Sequence, residues 1–124
     1  MPEKGEKTMT IHGKNIGFCL TIGASIELTK ICPDKDITKI AELFGDNYLN
    51  SMENVVKFIS IMSKGFHDNE AMEGRKADYL TEQDILSMKA EDLTQLMAVA
   101  MDAFKSDNRT EVEVESKNAE KGTE

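Results

Sequence analysis

The sequence of 124 residues has no tryptophan, and aromatic residues make up only 6% of it. It also has only two cysteines and two prolines. Two cysteines are too few for a disulfide framework, so Cys19 and Cys32 are expected to be free thiols in a reducing cytosol. Eight methionines are expected to supply part of the packing, because their side chains are flexible and polarizable.

Long apolar runs are absent as well. No stretch approaches the roughly 20 apolar residues that a membrane-spanning helix needs. Residues 1–7 are polar and lack the apolar centre of a signal peptide, so we expect them to form a flexible arm. These features predict a protein that contacts no membrane and stays in a cytoplasm.

Positive charge is scarce in the second half of the chain. Residues 1–66 contain eight acidic and eight basic residues, so the net charge of −8 lies entirely in residues 67–124. This charge argues against nucleic acid as a direct partner, because phosphate binding needs clustered lysine and arginine. It favours solubility and a basic protein partner.

The sequence has no convergent set of catalytic or metal-binding residues. His12 falls in a predicted turn and is expected to be solvated, and residues 67–70 (His-Asp-Asn-Glu) have no second cluster to complete a metal site. Gly13, Gly17 and Gly23 lack the spacing of a phosphate-binding loop. We therefore predict that the protein is not an enzyme and has no catalytic residue, cofactor or metal.

Apolar residues alternate with polar or small ones near the beginning of the chain. Two such runs, the first around Met9 and the second leading to Ile22, predict a β-hairpin over residues 8–22. His12–Asn15 separates the runs and is suited to a tight turn. Because an isolated hairpin is marginal in water, its apolar face is expected to pack on the helices that follow.

Five helical patterns follow the hairpin. Pro33 is expected to stop the first helix, because proline disfavours helical geometry in the residue before it. Gly45 and Gly65 stand where the C-terminal left-handed residue of the second and third helices belongs. Thr81 and Ser87 are the predicted N-caps of the fourth and fifth helices. The predicted helices cover residues 23–32, 36–44, 51–64, 81–87 and 89–105.

Two segments have no core-forming pattern. Residues 66–80 predict a long loop, and residues 107–124 a disordered acidic tail, with a short edge strand at Val112 and Val114 as the alternative. The expected fold class is therefore α+β and mostly α. A single globular domain, 8–106, would hold the N-terminal β-hairpin against a small bundle of four to five helices.

The last helix carries the best candidate for a partner-binding surface. Met88, Met97, Met101 and Phe104 are predicted to offer an adaptable apolar groove for helical segments of a partner. The alternative is that these side chains pack on the third helix and the hairpin.

Three stretches, taken together in their order and spacing, resemble a known family. They are residues 16–24 at the hairpin-to-helix junction, residues 80–93, and Ala103-Phe104-Lys105 before a tail in which valine and glutamate alternate. Over about residues 8–115 this layout resembles the tail assembly chaperones of long-tailed, siphovirus-type bacteriophages.

The resemblance implies a role in virion morphogenesis in the host cytoplasm. Such chaperones bind the tape measure protein, keep its apolar helical segments soluble, help to bring tail tube subunits to it, and are absent from the finished virion. Many have a longer form made by a −1 ribosomal frameshift, through which the tail tube protein would be reached. This chain would be the short form, and residues 120–122 (Glu-Lys-Gly) are compatible with a slippery codon sequence.

Two other classes of function stay open at this point. A small acidic phage regulator, or a DNA mimic that inhibits a host protein, would suit the acidic second half of the chain. A structural virion component, such as a connector or tube subunit, would need a larger β content and stable self-assembly.

Overall fold

The computed structural model describes residues 7–45 and 51–120, with side chains described over 8–45 and 51–107. The described chain is mostly helical and begins with a two-stranded antiparallel hairpin, so the predicted fold class is confirmed. The predicted flexible arm lies outside the described residues, apart from Lys7, which begins the first strand. The elements are β1 (Lys7–Ile11), β2 (Lys14–Phe18), α1 (Ile22–Ile31), two 3₁₀ helices (Pro33–Lys35 and Ile37–Leu43), α2 (Met52–Met72), α3 (Glu82–Leu86) and α4 (Ala90–Glu120).

The hairpin turns through two residues, His12 and Gly13, rather than through the predicted four. Both have positive φ angles, 49° and 81°, which is the type I′ geometry that matches the twist of the strands. Ile11 pairs with Lys14 directly beside the turn. The hairpin therefore has a fixed register, and its apolar side chains fall on one face.

The hairpin ends at Phe18, four residues before the predicted end. The backbone N–H of Cys19 donates to the carbonyl of Met62 in α2, at 3.2 Å, instead of to a strand partner. Thr21 then caps α1, because its hydroxyl accepts a hydrogen bond from the N–H of Ala24 at 3.0 Å. The prediction that Pro33 stops this helix is confirmed.

The predicted second helix is a 3₁₀ helix. Its apolar residues Ile37, Ile40 and Leu43 recur every three residues, which matches the period of a 3₁₀ helix, and the last two are buried. Asp36 caps it by accepting from the N–H of Thr38 at 3.0 Å. Hydrogen bonds to Thr38 hold the pKa of the Asp36 carboxyl below its usual value.

The third helix does not end at Gly65. It continues to Met72, so the predicted loop from 66 to 80 is shortened to residues 73–80. Gly74, with φ +79°, is the left-handed residue that ends the helix, and the N–H of Arg75 then donates to the carbonyl of Glu70 at 2.8 Å. Gly65 instead serves close packing, since a Cβ there would lie 2.4 Å from the carbonyl oxygen of Cys19.

The last helix is longer than its predicted span of 89–105. It begins at Ala90, and its helical backbone reaches Glu120. The Asp107 carboxylate accepts a hydrogen bond from the N–H of Leu20 at 2.7 Å, so the packed part of α4 extends at least this far. Over 107–120 the backbone continues this helix, where the sequence predicts a disordered tail or an edge strand.

The core is organised around α2, which contacts the hairpin, α1, α3 and α4. The fully buried ring of Phe58 packs edge-on against Phe44 and Phe104, with ring centroids 5.4 Å and 5.8 Å apart. Edge-to-face pairs of this kind add to the free energy gained by burying the rings. The hairpin thus shares one apolar cluster with the helices that follow it.

Candidate functional site

The structure separates the four predicted partner-binding residues into two kinds. Met97 and Phe104 are only 5% and 4% exposed and belong to the core, where they contribute to folding. Met88 and Met101 are half-buried at its edge. The four side chains therefore do not form one accessible stripe, and partner binding stays a prediction for the two at the surface.

An apolar cleft opens beside Met88. We call it the Met88 cleft, and it lies between the first turns of α2, the short helix α3 and the beginning of α4. Its volume is about 190 Å³. Met52 and Leu86 form its rim and are 41% and 62% exposed, although both are large apolar side chains. The residues that line it are Met52, Glu53, Val56, Ile85, Leu86, Met88, Lys89, Ala90 and Leu93.

The cleft lies beside α3, which has only five residues and is capped at both ends. At its beginning, Thr81 and Asp84 form a capping box, each side chain bonding the other residue's N–H at 3.1 and 2.9 Å. Ser87 is the C-cap of α3 rather than the predicted N-cap of the last helix. A helix this short buries Ile85 but leaves Leu86 facing solvent.

A second cleft lies at the tip of the hairpin. It has a volume of about 380 Å³ and is bounded by the turn of the hairpin, α3 and the first turn of α4. Met88 lines this cleft as well, so it separates the two. The lining combines apolar and charged residues: Ile11, His12, Lys14, Leu80, Asp84, Ser87, Met88, Lys89, Glu91 and Asp92.

Two side-chain contacts connect the hairpin tip to the helices. His12 Nε2 lies 2.9 Å from Asp92 Oδ2, although His12 is expected from the sequence to be merely solvated. Lys14 Nζ donates to Asp84 Oδ2 at 3.4 Å. The hydrogen bond from His12 lowers the pKa of Asp92, and the capping bond from the Thr81 N–H is the main cause that lowers the pKa of Asp84. Both carboxylates therefore stay ionised well below neutral pH.

The loop from 73 to 80 is pinned to α2 by buried polar contacts that the sequence analysis missed. The hydroxyl of Ser63, which is fully buried, accepts a hydrogen bond from the N–H of Leu80 at 2.8 Å. Ser60 donates its hydroxyl to the carbonyl of Leu80 at 2.9 Å. The signal that could have revealed them is the pair of serines within the apolar run of α2, because a buried hydroxyl needs a partner.

Further contacts hold the same loop nearer the end of α2. Arg75 makes a bidentate ion pair with Glu70, at 2.8 and 2.9 Å, which lowers the pKa of Glu70. His67 donates from Nδ1 to the carbonyl of Ala77 at 2.8 Å, and its ring lies 4.8 Å from that of Tyr79. These partners give His67 and Glu70 a structural use. Over the part of the chain that the structure describes, no three metal-binding side chains converge.

The two cysteines lie apart from both clefts. Cys32 ends α1 and is buried, and this burial, together with the nearby charge of Asp36, raises the pKa of its thiol. The protonated thiol is a poor nucleophile. Cys19 is half-buried where the hairpin meets α2.

The clefts themselves offer apolar contacts and fixed charges, which suit the binding of another macromolecule.

Comparisons of this chain with models of protein families, with curated proteins and with solved structures found no match. Within the described residues, no helix is both long enough and apolar enough to cross a bilayer. The function is therefore inferred from the clefts, the distribution of charge and the order of the elements.

Proposed function

We propose that this protein is a tail assembly chaperone of a siphovirus-type bacteriophage. In this proposal it acts in the host cytoplasm, binds apolar helical segments of the tape measure protein and keeps that protein soluble. It also helps to recruit tail tube subunits, through a longer frameshifted form, and is absent from the mature virion. The observation that carries the proposal is the Met88 cleft, an exposed apolar recess in a chain of net charge −8.

The apolar lining of the cleft suits one or two apolar side chains from one face of an amphipathic helix. Its apolar floor is made by Val56, Ile85 and Leu93, and its rim by exposed apolar side chains. A partner helix that inserts one or two leucine-sized side chains would gain roughly 1.5–3 kcal/mol for each. Part of that gain is lost to the ordering of both partners, so each copy is expected to bind with modest affinity and to dissociate quickly.

Modest affinity for each copy is what this role needs. Many copies would cover one long helical protein, and tube subunits would then displace them as the tube grows. The acidic second half of the chain would keep the covered complex soluble by mutual repulsion.

The first experiment is co-expression with the tape measure protein of the same phage, followed by pull-down and a solubility assay. Leu86→Glu places a charge on the rim of the Met88 cleft and is expected to reduce co-purification at least about tenfold, because an apolar contact is lost and a charge must be desolvated. Ile26→Glu is the matched control, since Ile26 is a similarly exposed apolar residue, 52% against 62%, on another helix. Equal loss in both variants, or in neither, would contradict the assignment of the cleft.

A separate experiment addresses the acidic tail. Changing Glu111, Glu113 and Glu115 to lysine is expected to reduce the solubility of the complex while leaving the urea midpoint of the chain nearly unchanged. Unfolding of this variant would mean that the tail is structural. If the tape measure protein is soluble by itself and does not bind, the alternative of an acidic phage regulator or DNA mimic is favoured, and host proteins become the partners to test.

A further inference from the structure

The outer edge of β1 carries backbone groups that point away from the hairpin. Ile11 and Lys14 flank a two-residue turn and so form a hydrogen-bonded pair, and such pairs alternate along an antiparallel ladder. Thr8 and Thr10 fall at the alternate positions, so each directs its N–H and C=O outward. None of these four groups has a backbone partner among the residues that the structure describes, and both threonines are exposed.

The opposite edge of the hairpin is closed at Asn15. Asn15, which pairs with Thr10 across the hairpin, donates its N–H to Asp78 Oδ2 at 3.0 Å and accepts from the N–H of Asp78 at 3.1 Å. These two bonds also verify the alternation, because they show the backbone groups of Asn15 pointing outward. A strand can therefore be added to this hairpin along β1 but not at this point on β2.

We propose that the edge of β1 pairs with the same edge of a second copy of the chain. A two-fold register centred on Met9 places Thr8 of one copy opposite Thr10 of the other, in both directions. All four outward N–H groups and all four outward C=O groups of the two copies then fall in hydrogen-bonded positions, giving four N–H···O=C bonds. The result is a four-stranded antiparallel sheet that runs through both copies.

The sequence of the edge suits a second copy better than an unrelated segment. Thr8-Met9-Thr10 reads the same in both directions, so an antiparallel pair of copies places threonine against threonine and methionine against methionine. Threonine pairs across strands are favourable. This stretch carries no charge, although 31% of the chain is charged and charges are the usual protection of an exposed edge. Because the pairing is two-fold and uses the β1 edge of both copies, it closes at two copies.

The test begins with the mass of the purified full-length chain, measured by light scattering over a wide range of concentration. The expected mass at high concentration is twice 13.8 kDa. Thr8→Pro removes one outward N–H without breaking a bond of the hairpin, and is expected to raise the dimer dissociation constant at least about tenfold. Thr8→Val keeps the N–H and the shape of the side chain, and should raise that constant much less than Thr8→Pro does, because it removes only the side-chain contact of the threonine pair.

A cross-linking experiment tests the register and does not depend on the proline variant folding. Met9→Cys places two thiols at a directly opposed, non-hydrogen-bonded pair, where a disulfide between copies can form. Thr8→Cys is the matched control, because Thr8 lies opposite Thr10 and not opposite itself. A linked dimer in the first variant alone, above the background of the parent chain under the same oxidant, is the expected result.

Three results would overturn the proposal: a monomer at every concentration, a dimer that Thr8→Pro does not weaken, or equal cross-linking of the two cysteine variants. If the chain is monomeric, the edge of β1 would instead be expected to pair with an extended segment of another protein. Each measurement uses the purified chain alone, so its outcome is independent of tape measure binding.

Discussion

Gly65→Ala offers a sharp test of how the hairpin packs on α2, because its expected sign is opposite to the general rule. In a helix interior, glycine to alanine normally stabilises a protein by roughly 1 kcal/mol. Here the new Cβ would lie 2.4 Å from the carbonyl oxygen of Cys19 and 3.3 Å from the Cβ of Ala24. Real Cβ atoms essentially never approach within 3.0 Å, so the backbone at Cys19 must move.

The magnitude follows from what that movement disturbs. Overpacking a well-packed contact costs about 1–3 kcal/mol. The same displacement strains the hydrogen bond from the Cys19 N–H to the Met62 carbonyl, which contributes roughly 0.5–1.5 kcal/mol. After subtraction of the helix-propensity gain, we expect the free energy of unfolding to fall by about 1–3 kcal/mol.

Urea unfolding followed by circular dichroism measures this change. Gly23→Ala is the control: Gly23 lies in α1, and its nearest atom to a new Cβ would be the Thr21 hydroxyl at 3.9 Å. That variant should be at least as stable as the parent chain. If Gly65→Ala is also as stable as the parent chain, the close approach of the hairpin to α2 does not exist in solution.

Three other predictions concern the buried contacts and the cap of α3. Ser63→Ala should lower the free energy of unfolding by about 1–3 kcal/mol in urea titrations, because it leaves the buried N–H of Leu80 without a partner. The pKa of Asp84 is lowered in the folded state, so its stabilisation is present above the ordinary aspartate value of 3.8 and is lost as the pH falls below it. Asp84→Asn should therefore lower stability at pH 7 and reduce the loss seen on acidification in thermal melts. Phe104→Leu should lower the free energy of unfolding in the same titrations by about 1 kcal/mol or more, because the ring contact with Phe58 is lost. Unchanged stability would mean that the Phe104 ring does not pack on Phe58 in solution.

The hairpin and most helices were predictable because their signals are local. Alternation of apolar residues up to Phe18 requires no knowledge of the rest of the chain, and neither do the stop at Pro33 and the cap at Thr81. Gly65 shows the limit of local signals. A glycine after an apolar run reads as a helix end, but the same residue is required where another backbone passes close by, and only the tertiary structure distinguishes the two.

The candidate site was predicted only in part for a similar reason. A stripe of apolar residues on a helix marks a surface that will be buried, whether by the chain itself or by a partner. Met97 and Phe104 are buried by the chain itself. Met52 and Leu86 are exposed because α3 is short and stands apart from the first turn of α2, and that spacing is not encoded in any one segment.

The pinned connection between α2 and α3 has a consequence for the length of the chain at this point. Asp78 is bonded to Asn15 of the hairpin, and Leu80, two residues later, is bonded to Ser63 of α2. The segment from Asp78 to Leu80 thus spans the distance between the hairpin and α2 with a fixed number of residues. One inserted residue between Asp78 and Leu80 would break the hydrogen bonds of one of the two, although surface connections usually accept insertions readily. This connection therefore acts as a spacer whose length, together with the Asp78 carboxylate, helps to hold the hairpin against the helices.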